Sequence, residues 1–283
     1  MILTITSILE EIDHLEPVAD VAGKVMALLD DPDCGTADLS EIICHEPGLT
    51  ANVLKLANSS YFGLPGKIED ARQAIVYLGM DQVVDLILLV SCSKSFRGSH
   101  EGYGLDAGKL WESAVSAAIV AGDLADLKGI KPSSLAFTGA LLRDIGKVVL
   151  NQYVRTGIES ILALVKSLDI TFKEAERQVL GFDHAQIGAM LAEKWHFPPS
   201  LQCILRCYHT PLQAGECYSE ASVVYLADAI VRKMGIGTGI DDAYYKEDED
   251  VARSLELSES QIQDVIDGFE GKMDRVRALF ASD

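Results

Sequence analysis

Basic residues are scarce in this chain: 24 Lys and Arg stand against 43 Asp and Glu in 283 residues, a formal charge of −19. Binding to a polyphosphate backbone is driven by Lys and Arg displacing condensed counterions, so a direct nucleic-acid partner is not expected. Long apolar runs are missing too. The most apolar stretch, Val83 to Val90, is far shorter than the ~20 residues that span a bilayer, and no membrane association is expected. The start, Met1-Ile2-Leu3-Thr4-Ile5, lacks the basic flank and apolar length of an export signal, which makes a cytoplasmic location the expectation. Cysteines Cys34, Cys44, Cys92, Cys203, Cys207 and Cys217 form no regular framework and are expected to be free thiols. Strand signals are nearly absent, and proline is sparse at 8 residues.

What the sequence does contain is apolar periodicity. Nearly half the residues are hydrophobic (48%), enough for burial to offset the entropy of ordering the chain. The length suits two lobes, since single domains run to roughly 100–200 residues. Apolar residues recur every three or four positions from end to end, so the fold class is all-α. Val21, Val25, Leu28 and Leu29 form one face, ended by Asp31-Pro32. Leu39, Ile42 and Ile43 form the next, behind a Thr36 cap. A helix presenting Leu49, Val53, Leu56 and Ala57 breaks at Asn58-Ser59-Ser60, whose polar side chains are expected to satisfy the helix end while Tyr61 and Phe62 pack inward. Exposed aromatics there would instead make interface anchors. Ala71, Ala74, Ile75 and Leu78 make a face closed by Gly79, and an apolar helix from Asp81 to about Lys94 follows.

The glycine-bearing segment Arg97 to Asp106 separates an expected N-terminal lobe, 1–97, from a C-terminal lobe, 106–283. A long helix with Trp111, Val115, Ala118 and Leu124 on one side has small Ala114, Ala117 and Ala121 that admit a close neighbour, and is predicted to be central. Pro132 opens the helix carrying Leu141-Leu142-Arg143-Asp144-Ile145-Gly146-Lys147. Thr171-Phe172-Lys173-Glu174 reads as a capping box, and Asp183-His184-Ala185-Gln186 as another helix start. Pro198-Pro199, Ser222 to Met234 and Ser258-Glu259-Ser260-Gln261 mark the last helices. The acidic runs Asp241-Asp242 and Glu247-Asp248-Glu249-Asp250 read as solvated surface loop.

Several of these runs carry more than periodicity. Glu46-Pro47-Gly48-Leu49-Thr50, Leu54-Lys55-Leu56-Ala57-Asn58-Ser59-Ser60-Tyr61-Phe62-Gly63 and Ala74-Ile75-Val76-Tyr77-Leu78-Gly79 together resemble the HDOD family, the HD-related output domains of bacterial signalling proteins. The likeness continues through Leu141 to Lys147, Gly181-Phe182-Asp183-His184, Gly188, Trp195, Pro198 and Ala227-Asp228. It implies an N-terminal helical bundle packed on a C-terminal HD-like lobe.

An HD hydrolase needs a divalent metal to polarise a phosphoryl oxygen and supply hydroxide near neutral pH. The resemblance implies ligands from a histidine on the central helix, an adjacent His-Asp pair and a later aspartate. In this sequence the central-helix position is Ser113, or Glu112 if the alignment slips by one. The His-Asp pair is replaced by Arg143-Asp144, and a guanidinium offers no lone pair. Asp144, His184, His209 and Asp228 remain as a candidate vestigial metal set. Each has a plainer reading: Asp144 pairs with a cation, His184 bonds locally, and Asp228, if it faces inward, needs a donor nearby. Cys203, Cys207 and His209 lack a second ligand pair for structural zinc.

Arg143 and Lys147, four residues apart, share a helix face and form a candidate anion pocket for a nucleotide or phosphate. The alternative is that Arg143 neutralises an acidic pocket while Lys147 reaches solvent. The reading that follows is a regulatory module without catalysis, its partners other signalling proteins. No cofactor is expected, with a single divalent metal as the alternative. Two other readings stay open: a metal-dependent phosphohydrolase or cyclic-nucleotide phosphodiesterase, and a non-hydrolysing nucleotide or phosphate sensor.

Overall fold

Helices follow one another along the chain because capping residues divide its apolar periodicity into short segments. The structure, a computed structural model, describes residues 23–25, 35–45, 47–58, 67–131, 133–246 and 249–280. Val25, expected in the first core face, is buried; Val21, Leu28, Leu29, Asp31 and Pro32 lie outside the described residues, as do Ser59 to Gly63, Pro132 and Glu247-Asp248. Among the described residues there is no strand, only an isolated antiparallel bridge between His100 and Leu105. No described helix is long and apolar enough to cross a membrane.

The first helices are α1 (Thr36–His45), α2 (Pro47–Ala57), α3 (Ala71–Leu78) and α4 (Met80–Phe96), packed on one another. Asn58 performs the capping read from sequence: its amide donates to the carbonyls of Leu54 (2.9 Å) and Ile68 (2.7 Å), and its oxygen accepts from Ile68 N–H at 2.6 Å. Gly79 has the positive φ expected of it, +86°, but an extended ψ of 161°, because α4 starts at the next residue. Helix α4 buries Val83, Val84, Leu86, Ile87, Leu88 and Leu89, and such all-round burial marks a helix enclosed by neighbours.

Helix α5 (Lys109–Lys128) is central, as the alanines predict: Ala114, Ala117 and Ala121 are fully buried, and α6 (Ser133–Leu142), α11 (Tyr218–Lys233) and α13 (Glu259–Phe280) pack on it. Around these lie α7 (Ile145–Leu168), α8 (Phe172–Leu180), α9 (His184–Lys194), α10 (Pro199–Cys207) and α12 (Glu249–Ser254). Thr171 with Glu174 and Asp183 with Gln186 form complete capping boxes, fixing where α8 and α9 begin. A Cβ at Gly146 would overlap the His184 carbonyl oxygen and lie 2.9 Å from Gly188 N, so α7 crosses α9 at a distance only glycine allows.

Two expectations are corrected. Cys203 and Cys217 are joined in a disulfide, because α10 and the turn before α11 bring their Cα atoms to 6.6 Å; Cys44, Cys92 and Cys207 are free, and Cys34 lies outside the described residues. Asp241-Asp242 is not solvated surface: Asp241 is fully buried and Asp242 is part-buried, whereas Glu249 and Asp250 are exposed as expected.

Candidate functional site

The single helix expected to carry Arg143 and Lys147 is broken: Arg143 and Asp144 stand at the junction where α6 hands over to α7, and of the three only Lys147 is helical, in the first turn of α7. All three are buried, and burying a charge is tolerable only if it is paired and hydrogen-bonded. Arg143 spends its donors in three directions. Nε donates to Asp228 Oδ1 on α11 (2.8 Å), one terminal nitrogen to the Ala140 carbonyl (2.9 Å), and the other to Ser113 Oγ on α5 (2.7 Å) while lying 3.3 Å from Asp144 Oδ2. Ser113 is therefore the inward position of the central helix. Glu112 turns out instead to Lys109 and Arg277, each at 2.9 Å.

Lys147 does not reach solvent. Its Nζ lies 2.7 Å from Asp241 Oδ2 and 3.2 Å from Asp144 Oδ1, with the Tyr103 ring 5.4 Å beneath it. Burial alone would lower the Lys147 ammonium, but Asp144 and then Asp241 outweigh it and hold it above its ordinary value. Burial would likewise raise the Asp144 carboxyl, yet Lys147 and Arg143 prevail and hold it below the ordinary range. The inward donor that Asp228 required is Arg143, and Arg232 Nε one turn further along α11 adds an ion contact at 3.1 Å.

The histidines meet on the other side of Asp144. His184, the first residue of α9, is fully buried; its Nδ1 lies 2.5 Å from Glu176 Oε2 on α8 and its Nε2 2.8 Å from His209 Nε2. Burial opposes an imidazolium at His184, but Glu176 outweighs it and raises the ring above its usual value. His209 is pushed well below, first by burial and then by His184. The two Nε2 atoms face each other at 2.8 Å, so one of them carries the hydrogen that the other accepts. Tyr208 Oη, 3.1 Å from the same His184 nitrogen, donates to Asp144 Oδ1 at 3.1 Å and joins the two halves of the cluster.

The structure thus brings Arg143, Asp144, Lys147, His184, His209 and Asp228 into one buried cluster. Sequence reasoning missed the residues that complete it. Tyr103, fully buried in the segment read as a lobe boundary, donates to Glu176 at 2.6 Å. Tyr245 stacks on His209 with centroids 4.6 Å apart and beneath Arg232 at 4.8 Å, and Asp241 binds Lys147.

A divalent ion does not fit this arrangement. Among the described residues no group of three or more His, Cys, Asp and Glu is placed to hold one. Asp144 and Asp228 already face Arg143, Lys147 and Arg232, and a further double charge would be set against those fixed cations. Cys203, tied to Cys217, is unavailable to the Cys207 and His209 grouping.

The described residues form an all-helical domain with a buried ionic cluster at the α6–α7 junction. The chain belongs to the HDOD family, whose domain matches residues 15–211. It is similar to an HDOD domain protein of unknown function from Geobacter sulfurreducens, at 22% identity and a TM-score of 0.70, with 94% of this chain and 92% of that one covered. A protein from Marinobacter aquaeolei VT8, provisionally assigned to signal transduction, is similar at 25% identity and a TM-score of 0.73, over 94% of this chain and 60% of that one. Another, from Shewanella amazonensis SB2B and provisionally assigned as a phosphohydrolase, is similar at 24% and 0.63, over 92% and 96%. The first and third likenesses carry the fold alone. An uncharacterized protein of Treponema pallidum (strain Nichols) is 23% identical over 228 residues, 80% of this chain, and the chain spans 44% of that relative's length.

Proposed function

We propose that this chain is a regulatory signal-transduction module in which an HD-type site has become an internal ionic lock, and that it acts by binding other signalling proteins instead of by catalysis. The observation that carries this reading is the placement of Arg143: a permanently charged guanidinium, 1% exposed, with bonds to Ser113, Ala140 and Asp228 and an ion contact to Asp144. Hydrolysis would need lone pairs free to take a metal, and those of Asp144 and Asp228 are committed to cations. The signal-transduction assignment of the similar Marinobacter aquaeolei VT8 protein supports the regulatory part. An anion-sensing role for Arg143 and Lys147 has less support, since both cations already meet carboxylates in the interior.

Phosphodiesterase activity toward cyclic dinucleotides and p-nitrophenyl phosphates, assayed with added manganese or iron, tests the reading. No turnover is expected beyond that of the Asp144→Ala variant. Metal-dependent turnover abolished by Asp144→Ala would establish the phosphohydrolase instead. Saturable binding of inorganic phosphate that is lost in Arg143→Met would favour the sensor.

A further inference from the structure

Away from the ionic cluster, α2, α3 and α4 face α5, α6 and α13 across a cavity of 480 Å3. That volume lies within the ~300–1,000 Å3 usual for small-molecule sites, which recur where two lobes meet. Much of the wall is apolar, including Leu56, Leu86, Leu89, Ile119 and Phe137. Three aspartates also line it, and two are already neutralised: Asp123 by Lys272 at 2.5 Å and Asp126 by Lys131 at 2.6 Å.

The third, Asp85 on α4, is different. Its Oδ1 accepts a hydrogen bond from Thr138 Oγ1 on α6 at 3.3 Å, and among the described residues no cation pairs with it. Burial raises its carboxyl well above the ordinary range, and the charge of Asp81 adds to that against the opposing Thr138 bond. A lone carboxyl facing an apolar cavity is complementary to an apolar molecule that carries one ammonium. The skeleton leaves water on binding, and the ion pair forms where screening is weak. An ammonium favours the ionised carboxylate that burial alone disfavours, whereas an anion would oppose it and a neutral hydrocarbon would offer Asp85 no polar partner.

We propose that this interlobe cavity binds a small apolar amine, its ammonium paired with Asp85 and its carbon skeleton against Leu89, Ile119 and Phe137. Such a ligand touches helices of both lobes, so occupancy favours their packed arrangement by mass action. The site is separate from the Arg143 cluster and does not depend on whether that cluster is catalytic.

Calorimetric titration of the full chain with hexylamine, phenethylamine and tryptamine, each beside its neutral alcohol counterpart, tests this. At least one amine is expected to bind saturably, about tenfold or more tighter than its alcohol, as a charge-assisted contact requires. Asp85→Asn removes that preference, whereas Asp126→Asn, at an already paired carboxylate, keeps it. Ile119→Trp fills the cavity and abolishes binding of amine and alcohol alike. No saturable binding by any amine, an alcohol binding as tightly as its amine, or a preference that survives Asp85→Asn would each overturn the proposal. Should Asp85→Asn not fold, the amine-to-alcohol ratio on the unaltered chain and the Ile119→Trp variant still decide it.

Discussion

Arg143 Nε donates to Asp228 Oδ1 at 2.8 Å across 85 residues of sequence, binding the α6–α7 junction to α11 in the interior of the protein. One partner of a buried pair cannot be removed alone without leaving an uncompensated charge, whereas removing both together is far less costly.

Arg143→Met is therefore expected to destabilise the chain by about 3–5 kcal/mol, the usual cost of breaking a buried pair. Arg143→Lys recovers only part of this, since an ammonium cannot reproduce the fork that reaches Asp228, Ala140 and Ser113. The double variant Arg143→Met/Asp228→Leu is expected to be more stable than Arg143→Met. Urea unfolding of the three variants checks the order, and a loss under about 1 kcal/mol in Arg143→Met would mean the lock is not formed.

Asp242 supplies a pH dependence. Burial, and then the neighbouring Asp241, push its carboxyl up from 3.8 to about 7. The folded state thus holds a proton that the unfolded state has released between these values. The contribution of this group is fully present below about pH 4 and is lost as pH rises through about 7. Carbon-13 NMR of the Asp242 carboxyl is expected to show titration near neutrality, and Asp242→Asn to flatten this part of the stability profile. Titration near 4 would contradict the burial seen here.

Gly146→Ala opposes two effects. Alanine in place of a helical glycine ordinarily gains up to about 1 kcal/mol. Here the added Cβ meets backbone, the His184 carbonyl oxygen and Gly188 N, which cannot swing aside as a side chain would. Overpacking of this kind costs about 1–3 kcal/mol, so net destabilisation is expected, with a lowered Tm in thermal melts. A raised Tm would show that α7 and α9 do not cross this closely.

What the sequence disclosed, and what it did not, follows the range of the interactions. The capping boxes of Thr171 and Asp183 were legible because a cap is made within four residues. Arg143 stood out because a guanidinium offers no lone pair where the family resemblance implies an imidazole. Asp241 did not. Beside Asp242 it has the look of a solvated acidic run, and its charged partner in the interior, Lys147, is 94 residues away. Tyr103 and Glu176, 73 residues apart, were hidden for the same reason, one in a glycine-rich turn and the other on the strongly amphipathic α8. The route to solvent that the alternative reading gives Lys147 is closed by the turn carrying Asp241 and Tyr245.

The ionic lock is tested most directly by anomalous diffraction from crystals of the full chain grown with manganese. No anomalous peak is expected beside Asp144 and Asp228, and the Arg143 guanidinium should lie in density between them. A strong peak within coordination distance of Asp144, His184 and His209, with Arg143 displaced from Asp228, would contradict the account.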